Sequence, residues 1–181
     1  MSVSYELTSL TPSMMSELEA RRSDPEVWRP YHWYGFNYFG TPQPAGFGQP
    51  FAPPEGGLLA VVDSAENFVG QVQWIPGFWY GGSNRHRGWN VGFVIFPEYR
   101  RTRAATTALT LLIDYLFTHT TAHRIEATTS LEAAPKRLEA KPAGMSREGT
   151  IRQAEWREGD WRDIALYAIL RPEWEANRHL D

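Results

Sequence analysis

Val3 to Leu10 alternates apolar and polar positions, with Val3, Tyr5 and Leu7 set against Ser4, Glu6 and Thr8, and so predicts a strand with one buried face. Thr11-Pro12 then supplies an N-cap followed by proline at the first helical position. Met14, Met15 and Leu18 mark one face of a short helix ending near Ser23-Asp24-Pro25. Over about 25–57 the pattern is lost: Pro42, Pro44, Pro50, Pro53 and Pro54 forbid a helix, and the predicted element is a long aromatic- and proline-rich insertion that wraps the surface or lines a cleft. Gly57–Asp63 and Phe68–Pro76 are apolar strands joined by "SAEN", a short hairpin connection. "GWNVGFVIF", Gly88 to Phe96, is apolar enough to lie centrally in a sheet.

The period then changes to that of a helix. Leu109, Leu112, Ile113, Leu116 and Phe117 share one face, while Arg103, Thr107 and Thr110 lie elsewhere. "HRIEATT" is the next strand, and "SLEAAPKRLEAKPAGM" is a weak helix interrupted by Pro135 and Pro142. Met145–Trp156 and Trp161–Leu170 form a closing hairpin across "REGD". A strand, a helix and a strand in succession over 88–128 demand one local parallel pair inside an otherwise antiparallel sheet. The expected fold class is therefore α/β (α+β), with a mixed, mostly antiparallel sheet flanked by helices. At 181 residues, with no internal repeat and no linker, one domain over 1–181 is expected.

Composition narrows the functions available. A net charge of −3 gives no basic excess with which to hold a phosphate backbone, so nucleic acid is not an expected partner. The chain has no cysteine, which removes disulfides, thiolate metal sites and a thiol nucleophile. His86, His119 and His123 lack the spacing of a convergent ligand set, and no metal is expected. No apolar run is long enough to cross a membrane and the first residues carry no signal pattern, so the expected location is cytoplasmic.

The chemistry concentrates where the central helix begins. A helix start presents unpaired backbone N–H groups and a partial positive charge, which suits a phosphate. "RRTRAAT", residues 100–106, adds three guanidinium groups and two hydroxyls, and Ala104 and Ala105 are small enough to let an anion approach the backbone.

"WNVGFVIFPEYRRTRAATTALTLLIDYLF", "HRIEATT" and "GMSREGTIRQAEWREGDWRDIALYAIL" together resemble the GNAT superfamily of acyl-CoA-dependent N-acyltransferases, in its RimJ/RimL-like branch, over about Leu58 to Leu170. The resemblance implies a sheet that splays open beside "FVIF". An acetyl-CoA or another acyl-CoA would lay its pantetheine arm along Phe93, Val94 and Ile95 and its pyrophosphate on the loop of Arg100, Arg101, Thr102, Arg103, Ala104, Ala105 and Thr106. That loop carries Arg103 where the branch has glycine. Downstream, Ala133 replaces the family's cofactor-contacting asparagine, and the place of its thiolate acid falls near Ala140.

Amine acylation needs a base for the ammonium proton, a polarised thioester carbonyl and an acid for the leaving thiolate. Glu126 falls where some superfamily members carry a glutamate base, and its competing reading is a structural carboxylate paired with Arg124 or Arg147. Tyr167 is the acid candidate, and Ser130 could polarise a carbonyl or bond substrate. The aromatic segments "WRPYHWYGFNYF" and "WIPGFWYGG" fall where the resemblance puts the acceptor groove. Trp33, Tyr34, Trp74, Trp79 and Tyr80 are its expected lining, suited to an amine acceptor with a flat or apolar body. Burial in an enlarged core or at a homodimer interface is the alternative. The expected function is acyl transfer from coenzyme A to a primary amine of a small molecule or a peptide N-terminus; a member that binds acyl-CoA, or a carrier-bound acyl group, without acylating amines is the other reading.

Overall fold

The computed structural model describes residues 4–22, 24–29, 56–78, 80–86, 88–132 and 143–178. Among them a seven-stranded sheet carries four helices. The strands are β1 (Tyr5–Thr8), β2 (Gly57–Asp63), β3 (Phe68–Pro76), β4 (Trp89–Ile95), β5 (Arg124–Ser130), β6 (Ser146–Arg157) and β7 (Asp160–Leu170). The helices are α1 (Pro12–Arg21), α2 (Pro25–Trp28), α3 (Ala104–His119) and α4 (Arg171–Arg178). The spatial order is β1-β2-β3-β4-β5-β7-β6, and every neighbouring pair is antiparallel except β4 with β5.

Local chemistry sets the ends of these elements. Thr11 caps α1 by accepting from the Met14 N–H, and Pro12 occupies its first turn. Asp63 organises the β2–β3 turn, its carboxylate accepting from the N–H groups of Ala65 and Asn67 and from the Asn67 side chain. The β6–β7 connection is the two-residue turn Glu158-Gly159, with φ of 52° and 84°, the pair of positive values that a tight hairpin needs.

The core lies on one face of the sheet under α3. All five predicted apolar positions of that helix, Leu109, Leu112, Ile113, Leu116 and Phe117, are buried there against Val72, Val91, Ile125 and Ala127. Its carboxyl end is fixed from a distance: the Arg171 guanidinium donates to the carbonyls of Phe117 (2.9 Å), Thr120 (2.7 Å) and Ala122 (2.9 Å). A cation placed on one last-turn carbonyl and on two just past the helix end also complements the helix dipole.

Two expectations change. The short helix α2 forms inside the segment read as irregular, because Asp24 caps it by accepting from the Glu26 N–H and Pro25 fits its first turn. Helix α4 was not expected; "RPEWEANR" begins it with proline and Glu173 in the first turn and buries only Trp174. The weak helix expected after β5 falls mostly on 133–142, outside the described residues, as does the insertion at 30–55.

Replacing Arg171 with Leu should lower stability by about 2–4 kcal/mol, the scale of losing several charge-assisted hydrogen bonds to partly buried carbonyls, as read by urea denaturation. A loss below about 0.5 kcal/mol would show that α3 holds its last turn without this cap.

Candidate active site at the parting of two strands

β4 and β5 are in register at only two places, Trp89↔Ile125 and Asn90↔Glu126. Beyond them β4 runs on to Ile95 paired with β3 alone, and β5 runs on to Ser130 paired with β7 alone. The backbone groups of Val91–Ile95 that face β5 are therefore left without a strand partner, and hydrogen-bonding groups in that state require a ligand or solvent. Phe93 and Val94 are half-buried along this freed edge, whereas the Ile95 side chain points into the core. The gap opens toward the amino end of α3.

The loop there is shaped for an anion. The Ala104 N–H is taken by the Thr102 hydroxyl (3.2 Å), and helix geometry leaves the amides of Ala105 and Thr106 without an intrahelical acceptor. Arg101 and Arg103 are exposed. Arg103 has φ −82° and ψ 3°, so this position does not use a conformation that only glycine tolerates, and arginine fits where the family carries glycine. The left-handed residue is Arg101 instead, at φ 65°.

Arg100 corrects an expectation. Its guanidinium donates to the carbonyls of Ile95 (3.3 Å) and Val27 (2.5 Å), tying α2 to the end of β4, and is spent inside the protein rather than offered to a phosphate.

At the apex of the gap stands Glu126, only 4% exposed, on the sheet face away from α3. Its Oε1 accepts from the Phe78 N–H (3.3 Å), and its Oε2 accepts from the Tyr80 hydroxyl (3.0 Å) and from Arg124 Nε (3.1 Å). Two glycines make room for this group. A Cβ on Gly77 would come within 2.8 Å of Glu126 Oε1, and one on Gly88 within 2.0 Å of the Arg124 carbonyl. Arg124 also forms a two-pronged pair with Glu148, one prong at 2.7 Å. Glu148 hydrogen bonding raises the Arg124 pKa further above its ordinary range, burial opposes it and Glu126 adds to it. Arg124 in turn holds the Glu148 carboxyl below its ordinary value. Burial, and then the hydrogen bond to Glu126, push the Tyr80 phenol up.

The remaining candidates scatter, for reasons of register. Tyr167 lies opposite Ala127 and is fully buried in the core under α3, on the face away from Glu126. Ser130 is buried and its hydroxyl oxygen accepts from Arg157 Nη2 (3.3 Å) and from the Glu132 N–H (3.2 Å), a structural use. Trp74 is fully buried beside Tyr115 and lines no groove. Tyr80 is at the site, its ring 5.5 Å from that of Phe78, and the two are 40% and 71% exposed, so they offer an aromatic wall. Trp33, Tyr34 and Trp79 lie outside the described residues. The sequence reading missed Glu148, 22 positions from Glu126 with no local signal, and the Phe78 amide; Arg124, two positions from Glu126 on one strand face, was legible as its partner.

Such an arrangement can hold a phosphate-bearing chain along an open strand edge and bring a second reactant to Glu126. Fold and site define an α/β protein whose central parallel pair parts beside an anion-ready helix start. The chain belongs to the GNAT acetyltransferase family: residues 6–146 match the family model described as an acetyltransferase (GNAT) domain. It is 34% identical over 86 residues to an uncharacterised N-acetyltransferase, YnaD, of Bacillus subtilis, a match covering 48% of this chain and 51% of that protein. The chain spans about half the length of the curated relatives it matches. RimJ of Mycobacterium smegmatis, solved with CoA-disulfide, is 29% identical with a TM-score of 0.55, over 68% of this chain and 58% of that one. A spermidine N-acetyltransferase from Vibrio cholerae, solved with CoA and spermine, has a TM-score of 0.68 at 18% identity over 94% and 98% of the two chains, a likeness of fold alone.

The Glu148 pair should show in acid. Its carboxyl is depressed in the folded state, so its contribution is present above the ordinary value of 4.5 and is lost as pH falls through the lowered value. Between about pH 6 and about pH 3.5 the wild-type protein should lose more stability than Glu148→Gln in denaturant titrations; equal losses would remove the pair from the acid response. At the loop, Arg101→Gly should raise stability by about 1 kcal/mol by relieving the left-handed backbone, and Arg103→Gly should give no gain. The reverse ranking in thermal unfolding would contradict both dihedral assignments.

Proposed function

We propose that this chain is an N-acyltransferase that moves an acetyl or short acyl group from coenzyme A to a primary amine. The observation that carries the reading is the parting of β4 and β5 after Asn90↔Glu126, next to the amino end of α3. The residues present fit the donor: an open strand edge at Phe93 and Val94 suits a pantetheine amide chain. The amides of Ala105 and Thr106, with the exposed Arg101 and Arg103, suit a pyrophosphate and a further phosphate. When bound, acetyl-CoA supplies an activated acyl thioester.

The chain's own part is positioning and proton handling. Holding an amine and a thioester together accounts for much of the acceleration such a reaction needs. In the overall transfer a C–N bond forms, the C–S bond breaks, and the ammonium gives up two protons, one of which ends on the departing thiolate and the other in solvent. Glu126 Oε2 is the carboxylate oxygen at the apex, held in place by Arg124 and by the Tyr80 hydroxyl, and we assign it to orient the amine and accept its proton. The thiolate acid has no assignment among the described residues: Tyr167 is committed to the core.

Free thiol release from acetyl-CoA, followed with a panel of primary amines, tests the reading. Arg103→Ala should raise KM for acetyl-CoA by on the order of tenfold, about 1.4 kcal/mol, while kcat toward a given amine changes little. Binding of coenzyme A without thiol release on any amine would leave a binding protein; no binding at all would reject both.

A further inference from the structure

Beside Glu126, on the side away from the donor gap, the sheet face opens into a cavity of about 850 Å³ between the start of β5, the end of α3 and the β3–β4 connection. Tyr80 and Arg124, both bonded to Glu126, form its wall toward the apex. Trp89, Leu166 and Leu170 supply apolar surface. A cavity of this size, mostly apolar with a few convergent polar groups, suits a small molecule.

Its charges are unevenly used. Glu148 is the one carboxylate among the lining residues, and both of its oxygens are engaged by Arg124. Arg85 and His123 also line the cavity, and neither side chain has a partner among the described residues. His86, the remaining titratable neighbour, turns its Nδ1 to the Tyr80 carbonyl. A polycation entering here would meet, among the described lining residues, a Glu148 carboxylate already paired with Arg124 and an arginine of its own sign. An anionic group would instead meet an arginine and an imidazole that no described residue engages.

We infer that this cavity holds the acceptor, and that the acceptor is an amine carrying a carboxylate, with its amine toward Glu126 and its carboxylate taken by Arg85 and His123. The inference rests on the acyltransferase reading and adds to it the acceptor's chemical class. Planar, two-pronged bonding of a carboxylate by an arginine gives geometric selectivity beyond charge alone. A site built to bond a substrate group discriminates strongly against an analogue lacking it, because its own polar groups are then left unpaired. The apolar walls fit a hydrophobic side chain on the same molecule.

Pairs of amines that differ by one carboxylate test this: phenylalanine with phenethylamine, leucine with isopentylamine, and methionine with 3-(methylthio)propylamine. Titration calorimetry without donor should show the carboxylated member of at least one pair binding on the order of tenfold more tightly, and thiol release with acetyl-CoA should give the same preference in KM. Arg85→Gln should bring that ratio close to one, and Arg85→Lys should keep part of it. Equal binding within every pair, preference for the decarboxylated members, binding of none of them, or an Arg85→Gln effect that is the same on both members of a pair would each overturn the proposal. Coenzyme A calorimetry on the same preparation keeps the two readings apart, since it reports the donor site whatever the amines do.

Discussion

Two residues of parallel pairing, and no more, govern this molecule. β3 claims one edge of β4 along its whole length and β7 claims one edge of β5 along its whole length. Between them the two strands share only Trp89↔Ile125 and Asn90↔Glu126 before diverging. A sheet zipped to its ends would satisfy more backbone groups, and the unmade bonds are tolerable only where a ligand or water can reach them. The parting thus creates a groove with hydrogen-bonding walls at the centre of the fold, where α3 and both flanking hairpins hold it rigid.

Helix α3 serves both ends of that groove. Its apolar face anchors it over β1, β3 and β4, its amino end presents free amides beside the mouth of the gap, and its carboxyl end is closed by Arg171. The dipole therefore favours an anion at the mouth and a cation at the far end. Arg171 takes the carbonyls of Thr120 and Ala122, two residues that border the cavity, so those acceptors are already engaged.

Arg124 couples the two hairpins to the apex. One guanidinium reaches Glu126 on its own strand and Glu148 on β6, so the carboxylate at the apex of the gap is fixed by a cation that is itself fixed from across the sheet. Removing one partner of such a half-buried chain leaves charge uncompensated, which is why these three residues are better treated as one unit than as separate contacts.

Much of this was legible in the chain. The apolar stripe of α3, the strands at 57–63 and 68–76, the parallel crossover and the turn at Glu158-Gly159 each follow from local period or turn chemistry. The anion-ready start of α3 was legible from its small residues at the head of an amphipathic helix. What the chain alone could not decide were facts of register and reach. Tyr167 and Glu126 are both strand residues, yet pairing puts one under α3 and the other on the opposite face. Trp74 reads like its aromatic neighbours, but alternation along β3 sends it into the core while Tyr80 reaches Glu126. Arg100 belongs to a basic run, and only the approach of α2 commits it to carbonyls. Periodicity records which side chains avoid water, a local property; which buried or charged group meets which depends on strand register and long-range packing, and these arise only when distant segments come together.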